Sequence, residues 1–295
     1  MIRFSKYIWL YVCISALVLI PGTYSLVRYG FKQSIDFAGG TLVEYRTDKP
    51  MSVRVVSDAA KEASVSVVSL QQSGSQSFLV RMKQEPKEKI SLLTNGIEKR
   101  ASVSAVILRN ETVGPTLGKE LLSKALFAAL LAISAILAYV AYAFKNIRFG
   151  VAAVIALLHD LLVVLGTFSL FGHYFGIEVD TLFVTAFLTT MSFSVHDTIV
   201  VFDRIREYTK RDRLRSFEEI SDIALTETMN RSLTNSFTII FMLVALVLMG
   251  GETTKWFVVA LLIGTVSGTY SSPFVATPVL LLWHRWEEKH KSFHR

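Results

Sequence analysis

The sequence has few charged residues. Aspartate, glutamate, lysine and arginine make up 19% of its 295 positions, below the roughly 25% that is typical of soluble domains. Hydrophobic residues make up 52%, and the mean hydropathy is +0.44. This composition argues against a purely soluble globular protein and against a disordered chain. The length allows one or two domains.

Cysteine is nearly absent, and several motifs of enzymes are missing. The single cysteine, Cys13, lies in an apolar run, so neither an internal disulfide nor a cysteine metal cluster can form. The chain lacks the H-E-x-x-H motif of metalloproteases, and no Gly-x-Gly-Asp signature surrounds Asp160 or Asp197. Gly39 and Gly40 lack the spacing of a phosphate-binding loop. We therefore expect a protein that is not an enzyme and that holds no cofactor or metal.

Apolar residues are instead concentrated in six stretches, each close to the roughly 20 residues that a helix needs to cross a bilayer. They occupy residues 7–27, 121–144, 151–171, 182–202, 233–249 and 256–283. Arg3 and Lys6 resemble the start of a signal peptide, but the first stretch continues beyond Pro21 without a small-residue cleavage site. We expect an uncleaved anchor and a polytopic α-helical membrane protein with six transmembrane helices.

Lysine and arginine are distributed unevenly between the loops that join these spans. Fifteen of the 31 lie on one side of the membrane, whereas the short loops of the other side hold only Lys255. Cytoplasmic loops are the ones enriched in these residues. The sequence therefore predicts cytoplasmic termini and an outer segment at 28–120. Because the net charge of +7 mostly reflects this topology, we expect no nucleic-acid partner.

The segment 28–120 has the composition of a folded domain. It contains predicted strands at 41–47, 65–70, 78–82 and 101–108, predicted helices at 52–63 and 86–100, and a predicted turn at 73–75. Ser52 is placed to cap the first helix, and Val56 belongs to its apolar face. The order β-α-β-β-α-β is that of a ferredoxin-like α+β module.

Two glycine-rich motifs bracket this domain. Their notable residues are Asp36, Gly39 and Gly40 before the first strand, and Gly114, Pro115 and Gly118 after the last one. Such residues supply unusual backbone angles and stiffen turns. The motifs are interpreted either as turns or as hinges that transmit movement of the spans to the domain, and the two interpretations are compatible.

Several spans contain ionisable residues, which are costly in a bilayer and therefore candidates for function. Asp197 in the fourth span shares a helix face with Thr190 and Ser194. The fifth span opens with a polar stripe formed by Arg231, Thr234, Asn235 and Thr238. We interpret Asp197 and Arg231 as a proton relay, because an arginine at that depth can reach the carboxylate. The remaining candidates for the relay or for a packing network are His159, Asp160, Thr190, Ser194, His196, Thr234 and Asn235.

The connection between the fourth and fifth spans predicts an amphipathic helix. A capping box, Ser216 to Glu219, precedes an apolar face that suits either the membrane surface or a partner protein. In the sixth span, Gly264 and Gly268 form a GxxxG signal for helix packing. The predicted divisions are the N-terminal tail and first span (1–27), the outer domain (28–120), spans two to four (121–202), the cytoplasmic loop (203–229), spans five and six (230–283) and a basic cytoplasmic tail (284–295).

Five segments of the chain, in order, resemble SecF members of the SecD/SecF family, the accessory subunits of the Sec translocase. They are IDFAGG (35–40), VGPTLG (113–118), ALLHDLLVVLG (156–166), SFSVHDTIVVFDRIRE (192–207) and NRSLTNS (230–236). The resemblance covers essentially the whole chain and implies half of an RND-like transporter, with SecD as the other half. It also implies that Asp197 belongs to the proton path and that Arg231 is its coupled partner. His196 occupies a position where the family varies.

The family further implies a function and a location. SecF and SecD use the proton motive force, without a cofactor, to promote translocation of an unfolded preprotein through the SecYEG channel and its release on the outer side. The implied partners are SecD, SecYEG, YajC, the preprotein and membrane lipids, and the implied location is the bacterial inner membrane. The length gives no sign of a fused SecD. The alternatives are half of another RND-type proton-driven exporter and a non-conducting membrane scaffold.

Overall fold

The computed structural model describes residues 4–72, 75–144, 146–212 and 214–293. In chain order its elements are α1 (Ile8–Tyr29), α2 (Ile35–Ala38), β1 (Gly40–Thr47), α3 (Val53–Glu62), β2 (Val67–Gln72), β3 (Ser77–Met82), α4 (Lys87–Ala101), β4 (Ala105–Val113), α5 (Pro115–Phe144), α6 (Ile147–Phe175), α7 (Thr181–Arg211), α8 (Phe217–Met249), α9 (Glu252–Ser271) and α10 (Thr277–Phe293). The chain forms two compact units, an α+β unit at Gln33–Phe127 and a helical unit built from the segments on either side.

The α+β unit is a four-stranded sheet with two helices. Its strand order is β2-β3-β1-β4, and every neighbouring pair is antiparallel. This order confirms the predicted ferredoxin-like module. Ser52 caps α3 by accepting a hydrogen bond from the Arg54 amide, and Val56 turns into the core beside Tyr45 and Phe78, all three fully buried.

The last strand of this sheet was predicted in the wrong place. The prediction was 101–108, whereas β4 occupies Ala105–Val113. The reason is local: α4 continues to Ala101, and Ser102 ends it in a left-handed conformation with φ of 51°. The second strand is likewise two residues later than predicted, after a positive φ at Ser64. The predicted turn at 73–75 includes Ser73 and Gly74, which lie outside the described residues.

The helical unit contains the predicted spans. Six helical segments among the described residues are long and apolar enough to cross a membrane, so the chain is a polytopic membrane protein. α1 packs against α6, where Gly22 and Gly166 bring the two backbones together and Ser25 hydrogen bonds to Ser169 at 2.9 Å. α9 packs against α6, α7 and α8.

The predicted cytoplasmic loop at 203–229 is mostly helical. α7 continues to Arg211 and α8 begins at Phe217, so the amphipathic segment is the first part of the fifth spanning helix. The capping box at Ser216 is formed as predicted. Arg204 on α7 pairs with Glu227 on α8, so the two extensions are in contact through an exposed ion pair.

The sixth span is interrupted between α9 and α10. Ser272–Ala276 form a π-helical turn that contains Pro273. Proline cannot donate the helical hydrogen bond, which explains why the regular α-helix is interrupted at this position. Such π turns are frequent at functional sites, and this one lies directly beside the serines of the buried site described next.

Candidate functional site

Helices α7 and α9 approach each other closely through small residues. A Cβ on Gly268 would lie 3.1 Å from the Ser194 Cα, and a Cβ on Gly264 would overlap the Thr190 side chain. Thr190 and Ser194 are both buried at this contact. The GxxxG pair therefore lies against the fourth span and allows its polar residues to reach α9.

Asp197 contacts α8 through a serine. Its Oδ2 accepts a hydrogen bond of 2.6 Å from the Ser232 Oγ, and the carboxylate is half-buried. Arg231 and His196 are both exposed, and Arg231 lies close enough to the Asp197 carboxylate for an electrostatic interaction. Among the described residues, the structure thus places Asp197 and Arg231 near each other without a hydrogen bond or ion pair between them.

Arg231 lies in an open polar groove of about 520 Å³ along α8. The groove is lined by Glu227, Asn230, Arg231, Thr234, Asn235 and Thr238. The predicted polar stripe therefore shares one exposed face. Charged and amide groups are costly against lipid tails, so this face requires water or a polar partner when the helix lies in a membrane.

Asp160 lies at the centre of a buried network between α6, α7 and α9. Its Oδ2 accepts hydrogen bonds from Ser194 at 2.5 Å and Ser271 at 2.6 Å, and its Oδ1 accepts one from Ser267 at 2.6 Å. The His159 Nδ1 lies 3.0 Å from the same Oδ1. Asp160 is 4% exposed and His159 6%. The structure thus joins Asp160, His159 and Ser194 in one cluster, which Asp197 does not join.

Of the serines that donate to the two aspartates, Ser194 was predicted as a candidate, whereas Ser232, Ser267 and Ser271 were not. Ser232 directly follows the charged Arg231 in the sequence. Ser267 and Ser271 could have been found, because with Gly264 and Gly268 they make a small-residue stripe at i, i+3, i+4 and i+7 of one helix face.

The two glycine-rich motifs pack against each other as one clasp within the α+β unit. A Cβ on Gly39 would lie 2.8 Å from the Pro115 Cα, and a Cβ on Gly118 would lie 2.8 Å from the Phe37 carbonyl oxygen. Gly39 also has a φ of 76° and Gly40 one of 131°, which side chains rarely adopt. At Gly114 a Cβ would meet nothing within 4 Å.

Arg81 of β3 lies near Asp36, the acidic residue of the first glycine-rich motif. Burial lowers the pKa of Arg81 to about 10, and the nearby Asp36 carboxylate opposes this shift. Arg81 Nη1 donates a hydrogen bond of 2.7 Å to the Gln33 carbonyl. These interactions fix the entry to β1, where a Cβ on Gly40 would lie 2.7 Å from the Met82 carbonyl oxygen.

The helical unit encloses carboxylates, and a ferredoxin-like domain follows the first span. These two features are typical of a polytopic membrane protein of the transport class. The family described as SecD/SecF GG Motif matches residues 24–51, and the family described as Protein export membrane protein SecD/SecF, C-terminal, matches residues 94–286. Since the second match covers more than half of the chain, the chain belongs to the SecD/SecF family.

Individual relatives agree with this assignment. The chain is 42% identical to the protein translocase subunit SecF of Thermobaculum terrenum, over 96% of this chain and 94% of the relative. It is 36% identical to the protein translocase subunit SecF of Anaerolinea thermophila, over 95% and 93% of the two chains. The match therefore extends over nearly the full length of both relatives.

The fold resembles crystal structures of SecDF. The SecDF of Thermus thermophilus, a translocon-associated membrane protein, superposes with a TM-score of 0.86 at 30% identity over 96% of this chain. A second structure, of SecDF in a super-membrane-facing form, gives a TM-score of 0.74 at 28% identity over the whole chain. This chain spans only 39% and 40% of those SecDF chains.

Proposed function

We propose that this chain is the SecF-type subunit of a SecD–SecF complex, which uses the proton motive force to promote preprotein translocation through SecYEG and release on the outer side. It acts without a cofactor and as a transport subunit rather than an enzyme. The full-length similarity to proteins named translocase subunit SecF supports this proposal. So does the match to two-fifths of SecDF chains, since the remainder of those chains leaves room for a SecD half.

The proposed location is the bacterial inner membrane, with cytoplasmic termini and the α+β unit outside. The distribution of lysine and arginine between the short loops supports this orientation. Of the residues behind that argument, Arg3, Lys145, Arg213 and Arg295 lie outside the described residues. The proposed partners are SecD, SecYEG, YajC, the unfolded preprotein and membrane lipids.

One observation carries the proposed proton coupling. Asp197 is half-buried in a spanning helix, and the hydrogen bond it accepts comes from the neutral Ser232 hydroxyl. A carboxyl group held in this way can gain or lose a proton without breaking a buried ion pair. The adjacent polar groove holds Arg231, whose charge acts on the carboxylate from outside. Closing this groove with a SecD half would change the distance between Arg231 and Asp197, and so couple protonation to helix packing.

The test is preprotein translocation into membrane vesicles with and without a proton motive force. Asp197→Asn keeps the size and the bond to Ser232 but removes the titratable proton, so we expect translocation to fall to the level seen without the force. Asp197→Glu, which can still be protonated, should retain part of the stimulation. Asp203→Asn, an exposed carboxylate on the same helix, is the matched control. Normal stimulation of Asp197→Asn in assembled complexes would refute the proposal.

A further inference from the structure

The buried network at Asp160 contains an ionisable pair that the proposed relay does not use. His159 and Asp160 are adjacent on α6, and the ring Nδ1 faces the carboxylate at 3.0 Å. The other ring nitrogen, Nε2, is buried and has no hydrogen-bond partner among the described residues. A buried polar atom of this kind calls for a physical explanation.

The environment of Asp160 suits an ionised carboxylate. Three serine hydroxyls, from Ser194, Ser267 and Ser271, lie at 2.5–2.6 Å and point at its two oxygens. A carboxylate is purely an acceptor, so it satisfies these donors together with a fourth from His159 Nδ1–H. Among the described residues, no lysine or arginine forms an ion pair with Asp160, and its ionic contact is with His159.

A single negative charge enclosed by helices is costly unless a positive charge compensates it. His159 is the group in contact that can supply one, by binding a proton at Nε2. We propose that His159 is a second proton-binding residue of this protein, and that Asp160 holds the ring with Nδ1–H towards the carboxylate and Nε2 free to accept. The step forms one N–H bond at Nε2 and breaks one O–H bond of a hydronium ion, which becomes water, so a neutral imidazole beside a carboxylate becomes an imidazolium–carboxylate pair.

The other titratable groups around this pair are few. On α9, the Tyr270 ring lies 6.1 Å from the His159 ring, centroid to centroid, and its hydroxyl donates to the Tyr11 carbonyl of α1. Asp222 of α8 lies near Tyr11, and its carboxylate accepts a hydrogen bond from the Ser5 hydroxyl. The groups packed from α7 and α9 onto Asp160 are neutral serines.

Protonation of His159 would act where α9 ends. Ser271, which holds Asp160, is the last residue of α9, and Ser272 opens the π turn while sharing a hydrogen bond of 2.9 Å with Thr198 of α7. The protonation state of His159 changes the net charge of the His159–Asp160 pair. That charge affects the strength of the hydrogen bonds that Asp160 accepts from the serines of α7 and α9. The proposed site is thus placed to link proton binding to the contact between those helices.

The direct test is nitrogen-15 NMR of the full chain with labelled histidine, in lipid nanodiscs. Single glutamine substitutions of the five other histidines assign the His159 signals by elimination, so no change at His159 itself is needed; they are His173, His196, His284, His290 and His294. We expect the His159 Nδ1 to stay protonated and Nε2 to gain a proton as the sample is acidified across the pH range in which histidines change charge. A His159 ring that keeps one protonation state over this range would overturn the proposal.

A second arm tests the role of the carboxylate. Asp160→Asn preserves shape but removes the charge, so we expect the His159 ring to release its Nε2 proton at a pH where the unaltered protein keeps it. Asp203→Asn should leave the titration unchanged. An Asp160→Asn protein in which His159 titrates as before would also overturn the proposal. The inference rests on the proposed proton-coupled function. The NMR spectra do not require translocation, so a negative result for His159 can be distinguished from a negative result in the translocation assay.

Discussion

At the scale of single residues, Gly264 decides how closely α7 and α9 can approach. A Cβ at this position would overlap the buried Thr190 side chain, and β-branched threonine has little freedom to turn away within a helix. We expect Gly264→Ala to destabilise the protein by roughly 1–3 kcal/mol, as overpacking does. Thermal unfolding of the purified protein in detergent measures the change.

Gly150 of α6 provides the matched control, because a Cβ there would meet nothing within 4 Å. Gly150→Ala should be neutral or stabilise the helix by up to about 1 kcal/mol. Adding Thr190→Ala to Gly264→Ala should recover part of the lost stability, since the two residues are in contact. Equal melting temperatures for the two single alanine variants would contradict this explanation.

The candidate site also shows which of its residues can be predicted from the sequence: the charged residues can be, whereas most of their hydrogen-bond partners cannot. Asp197, Asp160 and Arg231 stand out because charges are rare in apolar runs. The two aspartates accept hydrogen bonds from serines such as Ser232 and Ser267. Spacing within a helix can mark a serine as part of a small-residue face, but which carboxylate its hydroxyl reaches depends on packing between helices.

At the scale of elements, the glycine clasp joins α2 to the start of α5. The Gly118 Cα faces the Phe37 carbonyl so closely that an added Cβ would lie 2.8 Å from it. Because both atoms belong to backbone, the clash cannot be relieved by a side-chain rotation. We expect Gly118→Ala to cost about 1–3 kcal/mol and to raise hydrogen exchange in residues 34–40, whereas Gly114→Ala, with open space around it, should leave exchange unchanged. Equal exchange in both variants would argue against the clasp.

A pH-dependent contact links α4 to the connection between α3 and β2. The Glu85 carboxylate pairs with Lys89 at 2.9 Å and accepts a hydrogen bond from the Ser66 amide, and these interactions lower the pKa of Glu85. A carboxyl with a lowered folded pKa stabilises the fold above its unfolded pKa and loses that contribution as pH falls through the folded value.

We therefore expect Glu85→Gln to reduce hydrogen-exchange protection of β2 near neutral pH, by at most about 1 kcal/mol. The difference should shrink as the pH falls through the lowered folded pKa of Glu85, and it should vanish once Glu85 is protonated in both folded and unfolded chains. Lys89→Met should reproduce the loss at neutral pH. A difference that stays constant from neutral to acidic pH would show that the ion pair is not the cause.

Element boundaries show where the sequence predicts less well. The ferredoxin-like order follows from alternation and capping, but β4 is displaced because its start depends on a left-handed Ser102 and its end on pairing with Gly40. The amphipathic helix after Ser216 was predicted, but the continuation of α7 to Arg211 was not. The charges of that stretch predict a solvated loop when taken alone, whereas in the structure Arg204 of α7 pairs with Glu227 of α8.

At the scale of the whole molecule, two surfaces of the helical unit lack cover from the described residues. The most apolar stretch of α5 has no buried residue, so this surface is compatible with lipid. The groove that holds Arg231, Asn235 and Thr238 is polar and open, so this surface is not compatible with lipid tails. A family whose SecDF structures extend well beyond the length of this chain supplies a reason: the polar face is the one that a second set of helices would cover.

This reasoning predicts that the groove is accessible in the chain alone and closed in the complex. With the exposed native Cys13 replaced by serine, a cysteine introduced by Asn235→Cys should react quickly with a water-soluble maleimide when the subunit is produced alone. Co-production with SecD should slow that reaction severalfold. Leu214→Cys, at a position 99% exposed between α7 and α8, should react equally in both cases. Reaction rates at position 235 that are the same with and without SecD would place the partner on another face, and the proton path would then have to be sought away from Arg231.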